Sequence, residues 1–259
     1  MAQKEKNCFT LIELLVVVAI IAVLVSILLP ALNSARQHAQ AVMCSANVKQ
    51  LLMGLTMYEN ENGTFPRQVE IREQTPPDGW VGPYARAHHI WYWFQLAHAE
   101  LGKTGVKTDK TLFKCPSRKI AYPYESDNIC HGNYAVNGHL CPWGNSSVPL
   151  GLRSIPYPSS TLLVVDHGST SAIWQQTTLN PSYIRGRIYI PGLMYNSASS
   201  IVAGLDSGVL NDAIDGRHFG KTVNVGYADG HCVLKKADEL IVDVSNGYNN
   251  RSPLWLPSE

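Results

Sequence analysis

The feature that most constrains this chain is an apolar run of 21 residues near its N-terminus, from Phe9 to Leu29. Glu13 is the one ionisable residue within the run. A helix of this length reaches about 30 Å, which is the thickness of the hydrocarbon core of a bilayer. We therefore expect a transmembrane helix at 9–30, preceded by a short charged leader at 1–8.

The orientation of this helix follows from the leader, which carries Lys4 and Lys6. Positive residues beside a membrane span favour the cytoplasmic side. The apolar run is longer than the core of a secretory signal peptide and leads into a helix-like stretch after Pro30, so we expect the anchor to be retained. The sequence thus predicts a single-pass protein with a cytoplasmic N-terminus and an exported head at 61–259.

An amphipathic helix is predicted at 31–60, as a continuation of the membrane helix into the head. Apolar or small residues recur there at steps of three and four, with polar residues between them. We expect the helix to end near Asn60-Glu61-Asn62-Gly63, because asparagine and glycine tolerate the left-handed conformation that ends helices. The net charge of the whole chain is only +1, so we predict no nucleic-acid partner.

Glu13 requires an explanation, because a charged residue in an apolar membrane helix costs about 2.5–3.5 kcal/mol at the bilayer centre. Cleavage between Cys8 and Phe9 would create an α-amino group four residues before Glu13. The same group on a neighbouring subunit could approach the carboxylate and set the register between subunits. Alternatively, Glu13 lies in the headgroup zone and has no role.

The segment at 8–20, Cys-Phe-Thr-Leu-Ile-Glu-Leu-Leu-Val-Val-Val-Ala-Ile, closely resembles the N-terminal signal of type IV pilins and type II secretion pseudopilins. The resemblance implies a prepilin peptidase that cuts before Phe9 and methylates its new amine, and it makes Glu13 the assembly residue. Pro30 falls where many of these proteins carry a helix-kinking proline. Cys8 departs from the family, which usually has glycine before the cut.

This resemblance also implies the fold, the location and the partners of the protein. We expect a pilin-like α+β fold in which the long helix packs on an antiparallel sheet. The protein would be a non-enzymatic subunit in the inner membrane of a bacterium, without a cofactor or a bound metal. Its partners would be the prepilin peptidase and other pilin-like subunits, in a pilus or a type II secretion-like filament.

A β-hairpin is predicted near 222–234, because apolar residues alternate before Asp229-Gly230 and resume after it. Asp-Gly favours a type I′ turn, in which both central residues have positive φ. His218 followed by Asp229-Gly230 resembles a processing-associated C-terminal motif of pilin-like proteins, His, nine residues, Asp-Gly. Ten residues intervene here, and a bulge in the strand could absorb the extra one.

Other elements of the head are less regular. We expect irregular chain from Phe65 to Pro83, a short helix at Ile90–Leu101 with aromatic residues in the core, a buried strand at Thr161–Asp166 and a weaker one at Arg187–Ile190. Long loops should fill much of 60–160.

The cysteines allow a disulfide, since export permits such bonds. Loss of the leader would leave five of the six cysteines, so at least one stays unpaired or pairs between chains. Our first expectation is a Cys130–Cys141 pair, because the two lie close together in a loop-rich stretch.

Two alternative functions stay open. One is an anchored protein whose loop aromatics, Trp80, Tyr84, Trp143 and Trp174, bind a glycan. The other is a metal-dependent hydrolase. Its zinc ligands would come from His218, Asp229 and His231 together with Asp166-His167, although no HxxxH or CxxC spacing supports it. Asp229 or Asp166 could equally hold calcium, but an oxygen-rich loop is missing. The sequence contains no Gly-x-Ser-x-Gly elbow.

Overall fold

The computed structural model describes part of the chain, and the structural statements below refer to that part. The described residues are 10–67, 69–72, 89–102, 112–117, 134–138, 140–142, 148–166, 178–179, 188–189, 217–240 and 242–243.

The first element is a helix of 52 residues, α1, at Leu11–Asn62. Its length is about 78 Å at the usual helical rise. The helix ends at Gly63, which has a φ of 76° and donates its backbone N–H to the carbonyl of Glu59 at 2.7 Å. Glycine enters this left-handed conformation without steric cost, so the predicted end of the helix near Gly63 is confirmed.

The first half of α1 is exposed along its length. Every side chain from Leu11 to Asn33 is exposed, and the first buried side chain is that of Ala41. This half of α1 is long and apolar enough to cross a membrane. The hydrophobic effect gives exposed apolar surface of this extent a strong tendency to leave water.

The second half of α1 packs into the head along one face. Its buried residues recur at the three- and four-residue steps of a helical stripe: Ala41, Cys44, Val48, Leu51, Leu52, Gly54, Leu55, Tyr58 and Glu59. A second helix, α2, spans Trp93–Glu100 and crosses α1 at Gly54. A Cβ atom on Gly54 would collide with the backbone carbonyl of Ala97, so the two helices approach each other at backbone distance.

The described strands form one larger sheet and two small ones. They are β1 Val69–Arg72, β2 His89–Tyr92, β3 Tyr134–Asn137, β4 Leu162–Asp166, β5 Thr178–Leu179, β6 Ile188–Tyr189, β7 Thr222–Tyr227, β8 Cys232–Lys236 and β9 Val242–Asp243. The larger sheet has the order β5-β3-β4-β7-β8, and the small sheets are β1-β2 and β6-β9. All pairings are antiparallel except that of β3 with β5.

The larger sheet lies against α1. All five residues of β4 are buried, and so is β7 from Val223 onward. Gly226 of β7 faces Leu52 of α1 so closely that an added Cβ would come within 2.7 Å of the leucine Cδ1. The predicted α+β fold, a long N-terminal helix on an antiparallel sheet, is therefore confirmed.

The C-terminal hairpin exists, but its turn differs from the predicted type I′. Gly230 has a φ of 91°, whereas Asp229 does not have a positive φ. The backbone of Tyr227 accepts from Gly230 at 3.0 Å and donates to His231 at 2.9 Å, which closes a three-residue loop. Loops of this length place a single left-handed residue, usually glycine, at their end.

The predicted bulge is not in the strand that carries the extra motif residue. The register of β7 with β8 is unbroken from Thr222↔Lys236 to Gly226↔Cys232. The irregularity in the sheet lies on β4, between Leu162 and Val164. A tight turn with positive φ at Gly220 and Lys221 instead precedes β7.

Two other expectations are corrected. The predicted helix at Ile90–Leu101 begins only at Trp93, because His89–Tyr92 forms β2 and pairs with β1. That pairing also places a strand, β1, within chain that was expected to be irregular. Trp93 and Phe94 are fully buried, so at these two positions the aromatic cluster does fill the core.

Candidate functional site

Glu13 closes a capping box at the start of α1. The backbone N–H of Glu13 donates to Oγ1 of Thr10 at 3.3 Å, and Oε2 of Glu13 accepts from the backbone N and the Oγ1 of Thr10 at 2.8 Å each. Such reciprocal bonds satisfy N–H groups that the first helical turn leaves unpaired. The structure thus adds helix initiation to the roles considered for Glu13. The cleavage residues Cys8 and Phe9 lie outside the described residues.

Pro30 lies at an exposed position inside α1. Proline has no N–H to donate to the carbonyl four residues earlier, which here belongs to Ser26. The helix nevertheless continues through Pro30 without a break. The kink expected from the family stays a prediction.

A polar cluster surrounds His218 on the sheet side of α1, and we call it the His218 cluster: Asp166, His218 and Asn224, which are buried, and Ser117, which is half-buried. Nε2 of His218 lies 2.9 Å from Oδ2 of Asp166 and 2.8 Å from Nδ2 of Asn224. Nδ1 of His218 lies 3.0 Å from Oγ of Ser117. The side chains of His218 and Asp166 are both 0% exposed. The cluster joins three segments that are far apart in sequence.

Local backbone geometry positions each member. Asp166 is the last residue of β4, and Asn224 lies in the neighbouring strand β7 and donates its backbone N–H to Oδ2 of Asp166 at 2.6 Å. The positive-φ turn before β7 folds His218 back, so that its N–H donates to the carbonyl of Thr222 at 2.9 Å. Ser117 follows Cys115-Pro116 and meets the imidazole from the other side.

A disulfide between Cys44 and Cys115 lies beside the cluster. The two Cα atoms are 5.2 Å apart although the residues are 71 positions apart in sequence. Sγ of Cys115 lies 3.9 Å from Nε2 of His218. Cys141, the predicted partner of Cys130, is instead a free and buried thiol, and Cys130 lies outside the described residues. The short sequence separation of Cys130 and Cys141 did not reveal the observed pair, because α1 places Cys44 beside the turn that contains Cys115.

The second part of the C-terminal motif is exposed. Oδ1 of Asp229 accepts from the backbone N of His231 at 3.1 Å and lies 2.5 Å from its ring Nδ1, and both side chains are more than a third exposed. Asp229 and Gly230 therefore shape the hairpin turn, whereas His218 belongs to the interior.

The metal ligands considered from the sequence do not converge among the described residues. His218 and Asp166 are buried together, while Asp229 and His231 lie on the exposed hairpin turn. His167 lies outside the described residues, as do Trp80, Tyr84, Trp143 and Trp174 of the glycan hypothesis. The described group that could hold a metal is Cys44, Cys115 and His218.

The order of hydroxyl, imidazole and carboxylate in Ser117, His218 and Asp166 is that of a nucleophilic triad. The imidazole and the carboxylate are fully buried, however. Ser117 is half-buried at the edge of the cluster. Because His218 contacts side chains from two other segments, the cluster fastens these segments of the head together.

Sequence reasoning missed Ser117, Asn224 and the pairing of Cys44 with Cys115. One signal was available for Asn224, a polar residue between two valines in a strand that is buried along its length.

Comparison with known proteins gives two short matches. The chain is 30% identical over 66 residues to the type II secretion system core protein G of Pseudomonas aeruginosa, which covers 26% of this chain and 46% of that protein. It is 40% identical over 57 residues to the type IV wide pilus major component PilA4 of Thermus thermophilus. This match covers 22% of this chain and 44% of that protein. The chain is thus similar to a pseudopilin and to a pilin.

These matches are limited in extent. The chain spans less than half the length of each of these curated relatives. No family model matches the chain, and no solved structure matches it. Together with the long helix on an antiparallel sheet, the matches indicate a pilin-like fold.

Proposed function

We propose that this protein is a non-enzymatic, membrane-anchored subunit of a pilus or a type II secretion-like filament. A prepilin peptidase cleaves it before Phe9 and methylates the new amine, and Glu13 then directs assembly with other pilin-like subunits. The head stays on the exported side of a bacterial inner membrane.

The observation that carries this proposal is the division of α1 into two halves. The half from Leu11 to Asn33 exposes apolar side chains, whereas the half from Ala41 onward is built into the head. A soluble protein would leave this surface in water at a large cost in free energy. In a bilayer, or packed against the same segment of other subunits, the surface is covered.

The capping box is compatible with an assembly role for Glu13. Its hydrogen bonds to Thr10 use Oε2, while an ionised carboxylate has two oxygens and about four acceptor positions. Oε1 is therefore left for a donor from outside the described residues, such as the terminal amine of a neighbouring subunit. An apolar environment would strengthen that charge pair.

The N-terminus of the membrane-extracted protein tests the proposal. We expect mass spectrometry to find a peptide that begins with N-methylated Phe9. A matched control is the same chain expressed in a strain without prepilin peptidase, in which residues 1–8 should remain. An intact Met1 in the presence of the peptidase would contradict the proposal.

A further inference from the structure

The disulfide and the histidine form one compact group of soft and borderline metal ligands. The ligand atoms of Cys44, Cys115 and His218 all lie within 4.8 Å of one another, and all three residues are buried. The carboxylate of Asp166 adjoins the group, with Oδ2 at 2.9 Å from Nε2 of His218. Two sulfurs, one imidazole and one carboxylate make up a ligand set that zinc accepts.

A second and independent observation concerns acceptor atoms without donors. Oδ1 of Asp166 and Oδ1 of Asn224 are buried and have no hydrogen-bond partner among the described residues. Leaving a buried polar atom unsatisfied costs about 1–3 kcal/mol, and a native structure usually offers a reason for it. In the form without the disulfide, a cation beside His218 would supply one, because it attracts the carboxylate and the amide oxygen alike.

The imidazole is already oriented as a metal ligand requires. When Nδ1 of His218 donates its proton to Oγ of Ser117, 3.0 Å away, Nε2 carries a lone pair, which accepts from Nδ2 of Asn224 at 2.8 Å in the disulfide form. A metal ion that binds Nε2 replaces this hydrogen bond. Metal-binding histidines almost always donate the second ring N–H to such a partner. The 3.9 Å between Sγ of Cys115 and Nε2 of His218 is close to the edge of a zinc tetrahedron, about 3.5 Å for bonds of about 2.0–2.3 Å.

We propose that reduction of the Cys44–Cys115 disulfide turns this group into a binding site for a zinc-class divalent ion. Its ligands are the two thiolates and Nε2 of His218, which already lie together, and the carboxylate of Asp166, which shifts toward the ion to become the fourth. Disulfide and metal are then mutually exclusive ways to fasten α1 to the sheet. This site does not depend on the proposed role in filament assembly.

The chemistry balances with a dithiol as reductant. The dithiol delivers two electrons and two protons, the S–S bond breaks to give two thiols, and the reductant becomes a disulfide. Each thiol then loses its proton to solvent as a sulfur–metal bond forms, since the thiolate is the ligand. Thiol–disulfide exchange with an oxidising disulfide reverses the reaction: that disulfide takes up two electrons and two protons and becomes a dithiol, the Cys44–Cys115 bond forms again, and the ion is released. The metal-bound form is accessible before the chain meets an oxidising compartment.

The test uses the full chain in detergent micelles, freed of metal and kept under anaerobic conditions. One sample is reduced with a phosphine, which does not compete for zinc as a dithiol would, and the other is left oxidised. Bound zinc is measured after dialysis, and cobalt is used as a spectroscopic probe. We expect about one zinc per reduced chain, none in the oxidised chain, and a thiolate-to-cobalt charge-transfer band.

Matched variants identify the ligands. Cys44→Ser should lose the zinc and the charge-transfer band, whereas the double variant Cys141→Ser/Cys232→Ser, which removes the two free thiols of the described residues, should keep both. The oxidised wild-type chain provides a folded sample without binding, should Cys44→Ser fold poorly. The proposal is overturned if the reduced chain binds no stoichiometric zinc, if the oxidised chain binds as much, or if the double variant abolishes binding.

Discussion

Nε2 of His218 lies 2.9 Å from Oδ2 of Asp166, and both side chains are fully buried. This contact joins the turn before β7 to the end of β4, at the place where the disulfide ties α1 to the Cys115 turn. The histidine of the C-terminal motif thus acts inside the head, and the motif's Asp229 acts at the surface.

The buried contact of Asp166 with His218 and the exposed contact of Asp229 with His231 can be compared by mutagenesis. We expect Asp166→Ala to lower the free energy of unfolding by about 1–3 kcal/mol, because it leaves the backbone N–H and the side-chain amide of Asn224 buried without their acceptor. Asp229→Ala removes an exposed partner and should cost no more than about 1 kcal/mol. Urea unfolding of the full chain in detergent measures both. Equal losses in the two variants would show that the buried cluster is not a clamp.

The crossing of α1 and α2 at Gly54 should tolerate no side chain. Gly54→Ala places a methyl group against the carbonyl of Ala97, and backbone cannot move aside as a flexible side chain can. We expect a loss of about 1–3 kcal/mol in the free energy of unfolding. Met53→Ala, at the exposed neighbouring position, should change it by no more than about 0.5 kcal/mol. A stable Gly54→Ala variant would place α2 farther from α1 than described.

Cys141 and Cys232, the free thiols of the described residues, should differ in reactivity. Burial raises the pKa of the Cys141 thiol strongly and that of Cys232 as well, although a hydrogen bond to Ser45 partly lowers the latter. Iodoacetamide should therefore modify Cys232 before Cys141 in the folded chain, and both faster in urea. Peptide mass spectrometry follows each site. Rapid modification of Cys141 in the folded chain would contradict its burial.

The same shifts predict a pH dependence of stability. A thiol whose pKa is raised on folding contributes stability below its unfolded pKa of about 8.5 and loses that contribution as the pH rises. The urea midpoint should thus fall between pH 7 and pH 10. A Cys141→Ala variant should show a smaller fall. An equal fall of the urea midpoint in that variant would show that other titrating groups cause the pH dependence.

Three variants separate the capping role of Glu13 from its proposed role in assembly. Glu13→Gln keeps a side chain that suits a capping box but removes the charge, so the helix should persist while assembly with wild-type subunits falls by at least about tenfold. Glu13→Leu should lose the cap as well. Thr10→Ala removes the capping hydroxyl, keeps the charge and should assemble nearly as wild type. Filament recovery by shearing measures all three, and full assembly of Glu13→Gln would leave Glu13 as a cap alone.

Local sequence patterns predicted the elements whose position depends on residues close together in the sequence. The helical periodicity and the glycine after Asn62 located the end of α1, and alternation located β7 and β8. The start of α2 was misplaced because Ile90–Tyr92 pairs with β1, and strand pairing overrides the local preference of an aromatic run. The His218 cluster and its disulfide join distant segments, and no local pattern specifies which segments meet.

The separation between the apolar run and the first buried residue of α1 has a mechanical consequence. From Leu29 to Ala41 the helix rises about 18 Å, and most of that length carries exposed side chains. Among the described residues, the head first meets α1 at His38, whose ring lies 4.7 Å from that of Phe219, so about 14 Å of helix separates Leu29 from the start of the head. In the proposed membrane-anchored form, this short length of single helix would connect the lipid to the head.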